Sequence, residues 1–386
     1  MPESDRIGAL KPVWTWGLVL AGCAYRGEVL LILPESGVGY LHIDPEGRNV
    51  AYSLQSEGGW RVVRGTEEGP LFDEVSWPFF GPGGRLVYFS RKGRDWRLQP
   101  WGEDPWPPIR LRPGIGPRLR NLDFSADGRS IAYVADEPEG KLLMIDGRRV
   151  GRFEDITELQ WCEARECFGA IVFTEEGCGI LIGREIRHHQ AKLDYLELAF
   201  TRAGEPFVRA SDGDHVYFGH PERLAKADRF HIEAWDITPE GRSLAYVAEE
   251  EDGSRVLVVD GEVRATIRGR VARLAIHPED RRRVVWTVDA DGRYVEGGDS
   301  RTGPFERVGA LGFAPGSADV VYIAGRDHTE RVVVADRCTP EFDAVDYARF
   351  EDGGRRIVVC GRRGREVRRW EFDRRSLIPL SRWLGP

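Results

Sequence analysis

"HIDPEGRNVAYSL" (His42–Leu54), "FSADGRSIAYVAD" (Phe124–Asp136) and "DITPEGRSLAYVAEE" (Asp236–Glu250) are variants of one phrase. Weaker copies begin at Phe79, Ala275, Gly312 and Arg349, and two degenerate copies begin at Trp161 and Ala199. The nine copies follow one another at about 37 to 44 residues. A fixed period of this size signals a repeat architecture, which determines the whole fold. Each copy starts with a short apolar strand ending at Asp, Ser or Thr. A turn follows, in which proline presets φ and glycine accepts positive φ. The next segment, such as "VAYSL" or "LAYVA", carries the aromatic and β-branched residues of a strand. A third strand ends at a second turn, as in "LLMIDG" and "VLVVDG". A fourth carries the aromatic phrase "GPLFDEV", "GRFEDI", "GPFERV" or "TPEFDAV". Its aromatic is placed to plug one sheet against the next.

Four short strands in meander order, with no convincing helical period, predict four-stranded antiparallel sheets repeated radially. One unit cannot bury both faces of its sheet, but packing between two neighbours can, and closing a ring removes the end faces. The expected fold class is therefore all-β, a single β-propeller domain over residues 1–386 with eight or nine blades. "LVLAGCAYRGEVLLIL" from Leu18 aligns with "IVVCGRRGREVRRWEF" from Ile357. Residues 13–33 are thus expected to complete a blade with the C-terminal segment 374–386.

The turns Asp127-Gly128-Arg129 and Pro239-Glu240-Gly241-Arg242, each followed closely by "AYVA", resemble the TolB-type, WD-repeat-like propeller repeat. The resemblance covers residues 38 to 373. It implies a bacterial propeller of the kind that serves as a scaffold or as the lid of prolyl-oligopeptidase-like enzymes. The chain departs from both groups. It has no Gly-x-Ser-x-Gly elbow, and the Gly-His and Trp-Asp pairs of true WD repeats do not recur.

Composition narrows the function. The 386 residues are 41% hydrophobic and 31% charged, a globular balance. A net charge of -8 argues against a nucleic-acid partner. The charge is uneven: residues 349–386 hold 11 Arg against 5 acidic residues. That strip suits an acidic partner, or balances an acidic neighbour within the protein. Arginine far outnumbers lysine, as in a GC-rich bacterial genome. No apolar run reaches the length of a membrane-spanning helix. The six cysteines form no C-x-x-C pair, and a disulfide framework is not indicated. A cytoplasmic location is expected. The alternative is a periplasmic or lipid-anchored protein, because Leu20-Ala21-Gly22-Cys23 reads as a lipobox as well as a strand.

No constellation carries an obvious chemistry. His188, His189, His215, His220 and His231 cluster along the chain, but their spacing matches no metal-ligand pattern. Cys162, Cys167 and Cys178 do not have zinc spacing. "DADG" from Asp289 lacks the further ligands of a calcium loop, and Ser300 stands where the closing Glu would be. No cofactor and no metal are expected. The most individual stretch is Arg94–Arg118, with Trp96, Trp101 and Trp106 among six prolines. Long loops on rigid scaffolds are common recognition sites, and Trp and Arg are common interface hot spots. Trp101 and Trp106 are the candidate partner-binding residues, with wedging between blades as the competing reading. The expected function is a non-enzymatic protein-interaction scaffold or regulatory subunit. The alternatives are a hydrolase or lyase using the central channel, and a small-ligand or glycan sensor.

Overall fold

The computed structural model describes residues 26–109, 122–227, 231–250, 252–298 and 300–384. These residues form nine antiparallel sheets, the nine blades of a β-propeller. In chain order the blades span 38–68, 74–109, 122–153, 155–190, 194–226, 231–267, 270–305 and 307–338, and 344–373 together with 26–32. The degenerate copies at Trp161 and Ala199 build blades 4 and 5. The close approaches of Val38–Ile43 to Phe79–Phe80, His231–Ile237 to Arg270–Ile276, and Arg270–Ile276 to Arg307–Phe313 place the first strands at the hub.

The recurring turn explains the repeat. In blade 3, Gly128 N–H donates to Ser125 O at 2.8 Å, and Ser130 N–H donates to Ser125 Oγ at 2.8 Å. In blade 6, Gly241 N–H donates to Thr238 O at 2.7 Å, and Ser243 N–H donates to Thr238 Oγ1 at 3.1 Å. The residue before the turn therefore satisfies backbone groups on both sides of it, which only a short polar side chain does. Gly128 has φ +71°, and a Cβ there would lie 2.1 Å from Pro82 O of blade 2. The glycine is thus required by the turn and by the close approach of the neighbouring blade.

The core lies between blades. Val87, Phe89 and Leu98 of blade 2 pack on Leu122, Ile131 and Tyr133 of blade 3. The fourth-strand aromatics do act as plugs: Phe72 meets Tyr88 edge-on at 6.2 Å, Phe305 meets Tyr322 at 5.7 Å and Phe342 meets Trp370 at 4.7 Å. Side chains also clasp hub strands whose channel-facing edge has no sheet partner. His42 Nδ1 accepts from Phe80 N–H at 3.0 Å, Asp123 from Trp161 N–H at 2.6 Å and Asp236 from Ile276 N–H at 2.9 Å. These three acceptors occupy the same repeat position, and each reaches the following blade.

The ring closes with segments from both ends of the described chain. Arg26–Ile32 lies antiparallel to Glu366–Asp373 as the outer strand of blade 9. Leu31, Val358, Cys360 and Val367 pack on Ile43, Val50, Tyr52 and Val63 of blade 1, and Arg349 donates to Pro45 O at 3.1 Å. Ile378–Pro379 pairs with Arg337–Cys338 of blade 8. Strand 26–32 and the pairing residues 378–379 of the expected closing segment therefore serve adjacent blades rather than one. Three strands from 344 to 373 leave a full open edge for residues 26–32. Blade 8 ends in a strand of two residues, which leaves a short edge for 378–379. Residues 13–25 and Cys23, with the lipobox reading, lie outside the described residues.

Candidate functional site at the hub

Among the described residues, seven hub strands slip register at an equivalent place: between Val38 and Leu41, Thr157 and Gln160, Tyr195 and Glu197, Ile232 and Ala234, Val271 and Arg273, Gly309 and Leu311, and Val345 and Tyr347. Such a bulge re-aims side chains. In blade 2, Pro78 has no N–H and separates Glu74–Val75 from Phe79–Phe80 at the matching position. Counted from the turn, one position holds Tyr347, Tyr40 and Trp77 in blades 9, 1 and 2. The same position holds Glu158, Glu197 and Arg273 in blades 4, 5 and 7. Tyr40, on the innermost strand of blade 1, is 46% exposed, and Trp77, in the break between the two innermost segments of blade 2, is 50% exposed, so both rings lie open at the hub. Their rings stack at 4.7 Å with 29° between planes. Tyr40 N–H donates to Ser53 Oγ at 2.7 Å, which pins the bulge that carries the ring.

The opposite arc is charged. Glu197 pairs with Arg209 at 2.6 Å and accepts from the Trp235 indole N–H. Glu233 holds Arg255 at 2.8 Å and accepts from Val271 N–H at 2.8 Å. A cavity of about 260 Å³ lies here, lined by Glu197, Arg209, Glu233, Trp235, Arg273 and Leu311. Glu158 lies beside this group with φ +53°, a strained value for a glutamate. Desolvation by the surrounding protein raises its carboxyl above the usual range, and the nearby Glu197 adds to the rise. The arrangement offers an aromatic shelf for stacking and, across the hub, carboxylates and a guanidinium for polar contacts.

Trp101 and Trp106 lie between blades. Trp101 is half-buried, packs near Tyr88 at 6.5 Å and covers Gly69, where a Cβ would be 3.1 Å from its ring. Trp106 stacks on Tyr133 at 6.1 Å and lies over Gly147. Each indole keeps part of its surface open to solvent. Ile109 pairs with Trp96 through N–H···O bonds of 2.9 and 3.2 Å, giving blade 2 its outer edge.

The histidine group is brought together only in part. His188 and His220 meet edge-on at 5.2 Å, with Glu222 3.4 Å from the first and Glu205 3.5 Å from the second. Burial, then His220, holds the His188 imidazole below the usual range. Among the described residues no three His, Cys, Asp or Glu side chains converge as a metal site. The carboxylates of "DADG" turn to arginines, Asp289 to Arg293 at 3.0 Å and Asp291 to Arg301 at 3.9 Å. Burial raises the thiol pKa of Cys162, Cys167, Cys178 and Cys338, and pushes Cys360 up to about 12.

Most of the arginine strip is paired inside the protein. Arg349, Arg356, Arg362, Arg365, Arg368, Arg369 and Arg374 each meet a carboxylate, among them Glu35, Asp319 and Asp346 from outside the strip. Arg363 donates twice to Glu341 O. Among the described residues no helix is long and apolar enough to cross a membrane.

The aromatic pair at the hub went unmarked in the reading of the sequence. Its signal was present, since aligning "GYLHID" and "SWPFF" on their turns puts Tyr40 and Trp77 in one register. The exposure of that register follows from the bulge, which no local pattern announces.

No protein-family model matches the chain, and no curated protein matches it. Among solved structures it is similar to one described as the structure of the Dos1 propeller, with 10% identity and a TM-score of 0.44 over 89% of this chain and 94% of that one. It is also similar to a crystal structure of a eukaryotic initiation factor, with 11% identity and a TM-score of 0.47 over 88% of this chain and 91% of that one.

Proposed function

We propose that the chain is a non-enzymatic interaction propeller of the TolB-like, WD-like kind, a scaffold or regulatory subunit that holds a protein partner at the mouth of its channel. The observation that carries this reading is the stacked, half-exposed Tyr40–Trp77 pair at the hub. Tyr and Trp dominate interface energetics, because they offer large apolar area with little side-chain entropy to lose. The test is affinity capture from the native host with the wild-type chain and with Tyr40→Ala/Trp77→Ala. Both side chains are half-exposed, so the variant is expected to melt like the wild type and to lose the captured protein. Equal capture by the two forms refutes the reading.

One observation favours a second reading, a hydrolase working in the channel. The Glu158 carboxyl, exposed yet raised by partial desolvation and by the nearby Glu197, has the direction of shift a general acid needs. Glu197 and Glu233 are engaged by Arg209 and Arg255, which ranks this reading second. Turnover of a glycoside or ester panel that disappears in Glu158→Gln would reverse the order.

A further inference from the structure

The internal pairs of the arginine strip leave three arginines free, two of them in one cleft. Of its 11 Arg, Arg355, Arg375 and Arg382 have no carboxylate or carbonyl partner for their guanidinium groups among the described residues. Arg355 and Arg375 line a cleft of about 670 Å³ between the turns of blades 8 and 9, together with Arg337 and Arg374. The backbone there is held. Arg374 N–H donates to Arg355 O at 2.9 Å, and Arg375 N–H donates to Asp373 Oδ1 at 2.8 Å. Arg337 donates to Arg375 O at 2.9 Å and Leu377 O at 3.1 Å, which fixes one wall. Arg374 is matched by Asp319. The two unmatched guanidinium groups therefore stand on a fixed frame and are exposed.

We infer that this cleft binds an acidic peptide segment of a partner protein, a second contact independent of the hub. Guanidinium groups bind carboxylates through paired N–H donors, and a fixed backbone lowers the entropy lost on binding. The same cleft carries Asp336 and Asp373. Their carboxylates repel a dense polyanion such as a nucleic acid, whereas a peptide brings backbone N–H groups that they accept. The overall charge of -8 points the same way.

The test uses the full chain and a fluorescein-labelled peptide of alternating Glu and Gly, read by fluorescence anisotropy at low salt. The wild type is expected to bind it, and added salt to weaken binding. Arg355→Glu/Arg375→Glu is expected to weaken binding about tenfold or more, by placing like charge against the peptide. Its melting curve should stay close to the wild type, because both side chains are exposed and unpaired. Arg382→Glu removes an equally free arginine outside the cleft and should leave binding unchanged. Tyr40→Ala/Trp77→Ala should also leave it unchanged, so this site and the hub reading fail separately. The inference is overturned if the wild type does not bind the peptide or if the cleft variant binds as well as the wild type. It is also overturned if Arg382→Glu loses as much as the cleft variant, or if inorganic phosphate displaces the peptide as effectively as unlabelled peptide does.

Discussion

Ring closure can be tested at one glycine. Gly27 lies in the N-terminal strand opposite Trp370. An ideal Cβ at Gly27 would sit 2.6 Å from Trp370 Nε1 and 2.8 Å from its Cδ1. Two effects of Gly27→Val oppose each other. Intrinsic strand preference favours valine over glycine by up to about 1 kcal/mol. The clash costs about 1–3 kcal/mol in a packed region. The indole has little room to yield, since Trp370 is 6% exposed and Phe342 meets it edge-on at 4.7 Å. The clash is therefore expected to win, with Gly27→Val less stable than the wild type by about 1–2 kcal/mol in urea unfolding. Trimming the ring should restore room. In a Trp370→Leu background the same substitution should cost at least about 1 kcal/mol less. Limited proteolysis gives a local readout, because a detached first strand exposes the chain before Leu33. A Gly27→Val protein as stable as the wild type, with an equally protected N-terminal strand, refutes this account of closure.

Two further expectations follow from the packing. Burial holds the His42 imidazole below its ordinary value of 6.5, with Asp44 pulling the other way. The folded state then resists a proton that the unfolded chain accepts, so His42 stabilises fully above pH 6.5 and this stability is lost as pH falls toward the folded value. Urea midpoints measured from about pH 8 to about pH 5.5 should fall less steeply in His42→Gln than in the wild type, and parallel slopes would exclude this role. Trp101→Ala and Trp106→Ala should each lower stability by about 2 kcal/mol, below the roughly 3–5 kcal/mol of a fully buried tryptophan. If capture of a partner falls while the melting curves stay put, these indoles are contact residues and not wedges.

Much of the fold was legible because its signals are local. The residue before each turn, the glycine within it and the strand after it lie within a few positions of one another, and Ser125, Thr238, Gly128 and Gly241 act within that span. Even the degenerate copies at Trp161 and Ala199 kept enough of the phrase to mark blades 4 and 5. The candidate site was less legible. Trp101 and Trp106 stand out in a proline-rich loop, yet each lies between blades. Tyr40 and Trp77 look like ordinary strand aromatics until the hub is assembled around them.

By itself the sequence determined the repeat, the four strands of each unit and the nine anchors that became nine blades, because turn and strand chemistry depends on near neighbours. Only the tertiary structure decided which ends meet, which side chains face the channel and which arginines are free. Strand 26–32 joins residues more than three hundred positions away. The hub position is exposed because register slips there in blade after blade. The free charge of the C-terminal strip is what remains after Glu35, Asp319 and Asp346 arrive from elsewhere in the chain. Each of these outcomes is set by partners distant in sequence, and a one-dimensional pattern does not specify them.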